Sequence, residues 1–236
     1  MKADLHVHTN FSYDGVSSPQ EVVRAALEKG IECLCITDHN EIRGAVQAMK
    51  FSYDKNILIV PGIEILSSSG DILGINVKKV IPDRLSAKET IKEIRRQGGI
   101  AVIPHPFGKP FTNFWGGEKV LKKLDIDAIE AFNATVFFSK SNIRSFNFAQ
   151  KFNLPFTAGS DAHKAKHIGS AYLEFSKKVQ SVEELVEEIL KKEAVISGKV
   201  LGIRETFKDR TNADVAKMLR YTFLKLKNHR KNKMVS

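Results

Sequence analysis

Seven short apolar segments rich in branched residues recur in the first two-thirds of the chain, and amphipathic segments with helix-start signals stand between them. Strands are predicted at residues 3–7, 33–37, 57–61, 72–77, 100–103, 128–132 and 156–158. Ser18-Pro19-Gln20-Glu21 combines a capping box with proline at the first helical position, and Ser86 to Glu89 and Ser181 to Glu184 repeat the box. Gly30 and Gly98 follow two of these helices as stop signals. Strands alternating with helices predict an α/β fold with a mostly parallel sheet, and about seven such units can close into a barrel. The chain shows neither an internal repeat nor a low-complexity linker.

At 236 residues and 42% hydrophobic content, the chain can bury one sizeable core. No apolar run approaches the roughly 20 residues that cross a bilayer, and the opening Met1-Lys2-Ala3-Asp4 is unlike a signal peptide. A soluble, cytoplasmic protein without a membrane partner is expected. Cys33 and Cys35, inside the apolar run "IECLCIT", are expected as buried free thiols.

The net charge of +10 is unevenly placed: residues 199–236 hold 11 Lys and Arg against 3 Asp and Glu. That leaves the preceding body near neutrality, and divides the chain into a domain at 1–198 and a basic extension at 199–236. Thr211 is a plausible cap, and Val215, Met218, Leu219, Phe223 and Leu226 follow at helical spacing. Such a helix either docks on the body with a solvated basic face or serves as an arm for nucleic acid.

Five of the seven histidines fall at or near the ends of predicted strands: His6, His8, His39, His105 and His163. In α/β folds the carboxyl ends of strands are where ligands bind, so these imidazoles are expected to converge on one rim. Asp14, Asp38, Glu64 and Asp161 join them. Buried ionisable groups in such number are costly unless paired or bound to metal. Imidazole and carboxylate together suit Zn, Mn or Fe, and a carboxylate can bridge two ions.

Each motif contributes a piece. In "HVH", His6 and His8 face the same way along a strand and can chelate one cation. "TDHN" places His39 as a ligand and Asp38 as the group expected to hold an imidazole in its working tautomer. "VPGIE" ends on Glu64, "VIPHP" sets His105 between two prolines, and "AGSDAH" puts Asp161 and His163 two apart.

The ordered set "DLHVHTNFSYDG", "ITDHN", "PGIE", "PHP" and "GSDAH" closely resembles the polymerase and histidinol phosphatase (PHP) family of metal-dependent phosphoesterases, from Lys2 to about residue 199. The resemblance implies a distorted seven-stranded (β/α) barrel holding two or three divalent ions. It implies a first metal on His6, His8, Glu64 and Asp161. Glu64 would bridge to a second ion shared with His105, and Asp14, His39 and His163 would hold a third. One segment departs from the pattern: short relatives often carry histidine in G-H-x-L-G, where this chain reads "GDILG". Asp71 there is either a harder oxygen ligand, favouring Mn or Mg over Zn, or a residue capping a turn.

The chemistry implied is hydrolysis, because coordination lowers the pKa of water from about 15.7 toward 7 and offsets phosphoryl charge. Arg43 and Arg144 either hold phosphate or are ordinary helix-surface arginines, and His167 is expected to act as acid or substrate contact. Asn133, after Glu130 in "IEAFNA", is expected to brace the site. The substrate is expected to be a phosphorylated small molecule or nucleotide. An exonuclease processing nucleic-acid ends is the alternative, supported by the basic tail; Phe107, Phe111, Phe114 and Trp115 in "FGKPFTNFW" either stack on bases or form a hydrophobic lid packed on the barrel. A non-catalytic metal-binding module is the third reading, disfavoured by ligands at nearly every motif position.

Overall fold

A computed structural model describes residues 1–108, 117–136 and 139–202. The expected helix after Thr211 and the side chains of Phe111, Phe114 and Trp115 lie outside them. No helix among the described residues is long and apolar enough to cross a membrane.

The elements alternate as the sequence predicts: β1 (Lys2–Val7), α1 (Pro19–Glu28), β2 (Cys33–Ile36), α2 (Arg43–Ser52), β3 (Leu58–Ser67), β4 (Gly70–Ile75), α3 (Ala87–Arg96), β5 (Ile100–Ile103), α4 (Gly117–Leu121), β6 (Ala128–Asn133), α5 (Ser139–Lys151), β7 (Phe156–Gly159), β8 (Ala171–Glu174), α6 (Val182–Lys191) and β9 (Val195–Gly198). The strands join in one sheet of order β7-β6-β5-β4-β3-β2-β1-β8-β9. Beyond the strand ends β7 and β1 meet again, through Asp161 N donating to His6 O and His8 N donating to Ala162 O. β1 to β7 thereby form a nearly closed barrel, while β8 and β9 extend the sheet outside β1.

Parallel pairing is not universal. β4 runs antiparallel to both β3 and β5, and β8 runs antiparallel to β1. Two residues between β3 and β4 permit a hairpin and are far too few for a crossover. β3 also runs past Pro61, where the sequence suggested an end. It pairs with β2 up to Pro61 and with β4 from Gly62, so the proline stands where the strand changes partner.

Ser18 and Ser86 form complete capping boxes with Glu21 and Glu89. Ser181 accepts from Glu184 N, but the Glu184 carboxylate accepts from Gln180 N instead, so that box is half made. Gly30 and Gly98 end α1 and α3 with φ of +66° and +81°. In β2, Leu34 and Ile36 pack toward α1 and α2, whereas Cys33 and Cys35 face the barrel as buried free thiols. Lys199 N donates to Ser170 O and Leu201 N to Ala134 O, which ties residues 199–201 to the strands beside them.

Candidate metal centre

The carboxyl ends of β1, β2, β5 and β7 open on one rim, to which the partner-changing β3 contributes Glu64 and its hairpin mate β4 contributes Asp71. Period-2 alternation sends His6 and His8 to the same side of the β1 end. Two ligand positions hold unusual backbone: His105 has φ of +31° and Asp161 of +50°. Asp and His enter that region more readily than most side chains, yet it still costs about 1–3 kcal/mol and persists only where the surroundings impose it. Here Glu130 Oε2 accepts from His105 N at 2.7 Å, and Asp161 N donates to His6 O at 2.8 Å.

The side chains meet in a compact cluster. The Nε2 atoms of His6 and His8 stand 3.1 Å apart. Each lies 3.4–3.6 Å from both Glu64 Oε2 and Asp161 Oδ1. Ligands at about 2.0–2.1 Å in a tetrahedron would stand about 3.3 Å from one another, which the His–His, His–Glu64 and His–Asp161 spacings approach. A second group joins Glu64, Asp71 and His105, with His105 Nε2 3.4 Å from Glu64 Oε1. A third joins His8, Asp14, His39 and His163; Asp14 Oδ2 is 2.9 Å from His163 Nε2 and 3.7 Å from His39 Nε2. Asp71 is buried and belongs to the second group, while the adjacent turn is held by Ser67 Oγ donating to Gly70 O.

Electrostatics follow from this crowding. Burial opposes the His6 imidazolium, yet the Glu130 and Asp161 carboxylates outweigh it and hold its pKa well above the ordinary value. Burial and then the charge of His163 push His8 down to about 4. Burial likewise opposes the His39 cation, but Glu64 and Asp14 raise its pKa to about 9. Asp14 and Glu64 are held well below the carboxylate range, because neighbouring imidazoles overcome the penalty of burial. Asp14 Oδ1 and His105 Nδ1 are buried without a hydrogen-bond partner among the described residues. Facing imidazole nitrogens, ringed by carboxylates and left with orphaned polar atoms, suit divalent cations and have little other physical rationale.

A supporting layer fixes the ring orientations. Glu130 Oε1 lies 2.9 Å from His6 Nδ1, which directs the His6 Nε2 lone pair into the cluster. Ser12 Oγ lies 3.2 Å from His8 Nδ1, and His163 Nδ1 is 2.8 Å from Asp161 O. Asn133 bonds both Glu130 and Asp161, the bracing expected of it, and Thr135 Oγ1 donates to Asp161. Asp4, fully buried, accepts from Ser160 N and Gly169 N. Burial raises its pKa to about 6 against those hydrogen bonds. The sequence reading gave no role to Asp4, Ser12 or Thr135; the signal for Asp4 was its place two before His6 on the same strand face.

Asp38 and the two arginines are engaged with other partners, and His167 borders the cluster. Asp38 accepts from Thr9 N and Thr9 Oγ1 at 2.6 and 2.7 Å, so it shapes the Thr9 loop and is not the tautomer-holding partner expected of it. Glu130 fills that place. Arg43 is paired with Glu41 and lies over the Phe11 ring at 5.3 Å. Arg144 lies over Phe107 at 4.1 Å, and both guanidinium groups are exposed. His167 is buried in a 3₁₀ turn (Ala165–His167) and lines a notch of about 20 Å³ together with Asp161 and His163.

Residues 140–194 match the family profile described as PHP-associated. The uncharacterized protein MJ1587 of Methanocaldococcus jannaschii is 40% identical over 144 residues, which are 57% of this chain and 82% of that protein. A protein of Vibrio campbellii named "Probable phosphatase" is 28% identical over 235 residues, 85% of this chain and 88% of its own. The fold is similar to that of a two-domain protein from Bacteroides vulgatus, described as containing a "predicted PHP-like metal-dependent phosphoesterase". That likeness has a TM-score of 0.71 at 19% identity, over 84% of this chain and 65% of that one. Profile, relatives, fold and the ordered ligand motifs agree, and the chain belongs to the PHP family.

Proposed function

We propose that this chain is a metal-dependent phosphoesterase that hydrolyses a phosphomonoester or nucleotide. The observation that carries the reading is the convergence of Glu64 and Asp161 on the His6–His8 pair, each carboxylate 3.4–3.6 Å from both Nε2 atoms. These four hold one divalent cation; Glu64, Asp71 and His105 hold a second; Asp14, His39 and His163 hold a third. Mixed imidazole and carboxylate donors suit Mn, Zn or Fe. Bound cations would acidify a water molecule and offset the charge of phosphoryl oxygens. Glu130 and Ser12 keep the His6 and His8 rings turned toward the cluster, and Asn133 and Thr135 fix Asp161. His167, which lines a notch with Asp161 and His163, would give a proton to the leaving oxygen. Arg43 and Arg144, exposed outside the cluster, would supply the positive charge that meets phosphoryl oxygens.

The test is direct. Protein purified without chelators is analysed for metal, then assayed with Mn or Zn for phosphate release from an aryl phosphate and from a 5′-phosphorylated oligonucleotide. Release that disappears in His8→Ala and Asp161→Ala is expected, and undiminished release in both variants would overturn the assignment. We further propose that residues 199–236 form a basic extension; ending the chain before Thr211 should spare hydrolysis of the aryl phosphate and weaken salt-sensitive oligonucleotide binding.

A further inference from the structure

The loop after β1 serves the rim in more than one way. Between Thr9 and Val16, Ser12 and Asp14 are buried, while Phe11 and Tyr13 alternate with them and are half-buried. The loop is fastened at both ends, with Asn10 N donating to Ser17 O at 2.8 Å and Val16 N to His163 O at 3.0 Å. Ser12 Oγ meets His8 Nδ1, and Asp14 Oδ2 meets His163 Nε2, so both inward residues touch the cluster through polar atoms. Tyr13 reaches it through its ring. That ring stacks on His39, with centroids 4.6 Å apart and planes 25° from parallel.

His39 is thereby the second member of a column of four rings. His8 covers its other face at 4.7 Å and 27°, and His163 follows on His8 at 4.4 Å and 28°. Besides its stacked faces, His39 has its Nδ1 3.1 Å from Glu64 Oε2, an oxygen that also faces His6 and His8. A cation bound to His39 leaves the imidazole more positive, as it does His8 and His163. Imidazoles that gain like charge repel, whereas the electron-rich face of a tyrosine attracts a positive neighbour. Tyr13 therefore interacts more favourably with His39 when a cation is bound, and only such a difference between the two states raises affinity.

We propose that Tyr13 is a positioning residue for the third cation, the one assigned above to Asp14, His39 and His163. Its ring holds the His39 imidazole in the column and offsets the charge which that imidazole acquires. Tyr13 acts in this way only if the third site exists, and it needs no step of hydrolysis.

Equilibrium dialysis of the full-length, metal-free protein against Mn, followed by metal analysis, reads the binding steps in turn. Asp14→Asn marks the step that belongs to the third site. In Tyr13→Leu that step is expected to need about fivefold more free Mn, with the other two unmoved, while Tyr13→Phe stays within about twofold of the parent chain. Leucine keeps bulk and loses the aromatic face; phenylalanine keeps the face and loses the hydroxyl. Packing, hydroxyl contacts and stacking are thus told apart. Tyr13→Gln is a second non-aromatic variant, read in the same way should the leucine variant fail to fold. Non-aromatic variants that bind Mn as the parent does, an equal weakening of all three steps, or Tyr13→Phe as weak as Tyr13→Leu would overturn the role of Tyr13. Fewer than three Mn bound by the parent chain would overturn it too, by removing the third site, and the aryl phosphate assay would then judge the remaining cations and hydrolysis separately.

Discussion

At the scale of single residues, the ligands announce themselves and their supports do not. Imidazoles and carboxylates at strand ends are conspicuous, because they are costly to bury and have a shared remedy in metal. Glu130 is equally buried, yet its partner His6 lies 124 positions away, so no local pattern reveals the contact. Sequence adjacency misleads as well: Asp38 precedes His39 but is occupied by Thr9. Glu130→Gln should keep the fold by circular dichroism while lowering divalent-cation affinity about 10- to 100-fold in calorimetry, as loss of a ligand-orienting carboxylate does. Gly159 supports His6 in a different way, by leaving room. A Cβ there would stand 2.3 Å from His6 Cβ and 2.8 Å from its backbone nitrogen. Gly159→Ala should therefore cost stability of about 1–3 kcal/mol, read as a fall in the thermal midpoint, and should disturb cation binding with it.

Secondary elements were legible where local chemistry decides them. The capping boxes of α1 and α3 are made as their sequences indicate, and all seven predicted strands exist, with shifted ends. Ser86→Ala removes an acceptor for Glu89 N and a donor to the Glu89 carboxylate. A loss of about 1 kcal/mol is expected, which lowers the thermal midpoint of a chain this size by about 2–4 °C. The four-residue strands β8 and β9, and the reversal of β4, escaped notice. Their identity depends on partners elsewhere in the chain: Ala171 pairs with Gly198, and Leu73 pairs with both Glu64 and Val102. Short edge segments carry too few residues to show a period, and a two-residue link between apolar runs reads as a break until the pairing is seen.

For the molecule as a whole, the barrel and its rim followed from alternation plus the position of the histidines. The ligand set runs from His6 to His163 and ties together most barrel strands. Chelation should therefore lower the thermal midpoint, and readdition of Mn or Zn should restore it. At a free cation concentration of a hundred times Kd, the native state gains about 2.7 kcal/mol per site. A midpoint indifferent to chelator, in protein shown by analysis to have lost its metal, would contradict the arrangement. The meeting of β1 with the residues after β7 has a kinetic corollary. Met1 N donates to Phe175 O and Asp161 N to His6 O, so the opening strand recruits partners more than 150 positions distant. Such high contact order slows the search for the native state. The barrel is expected to close slowly in refolding kinetics, and a cation held by residues from both sides of that closure would act as a latch on it.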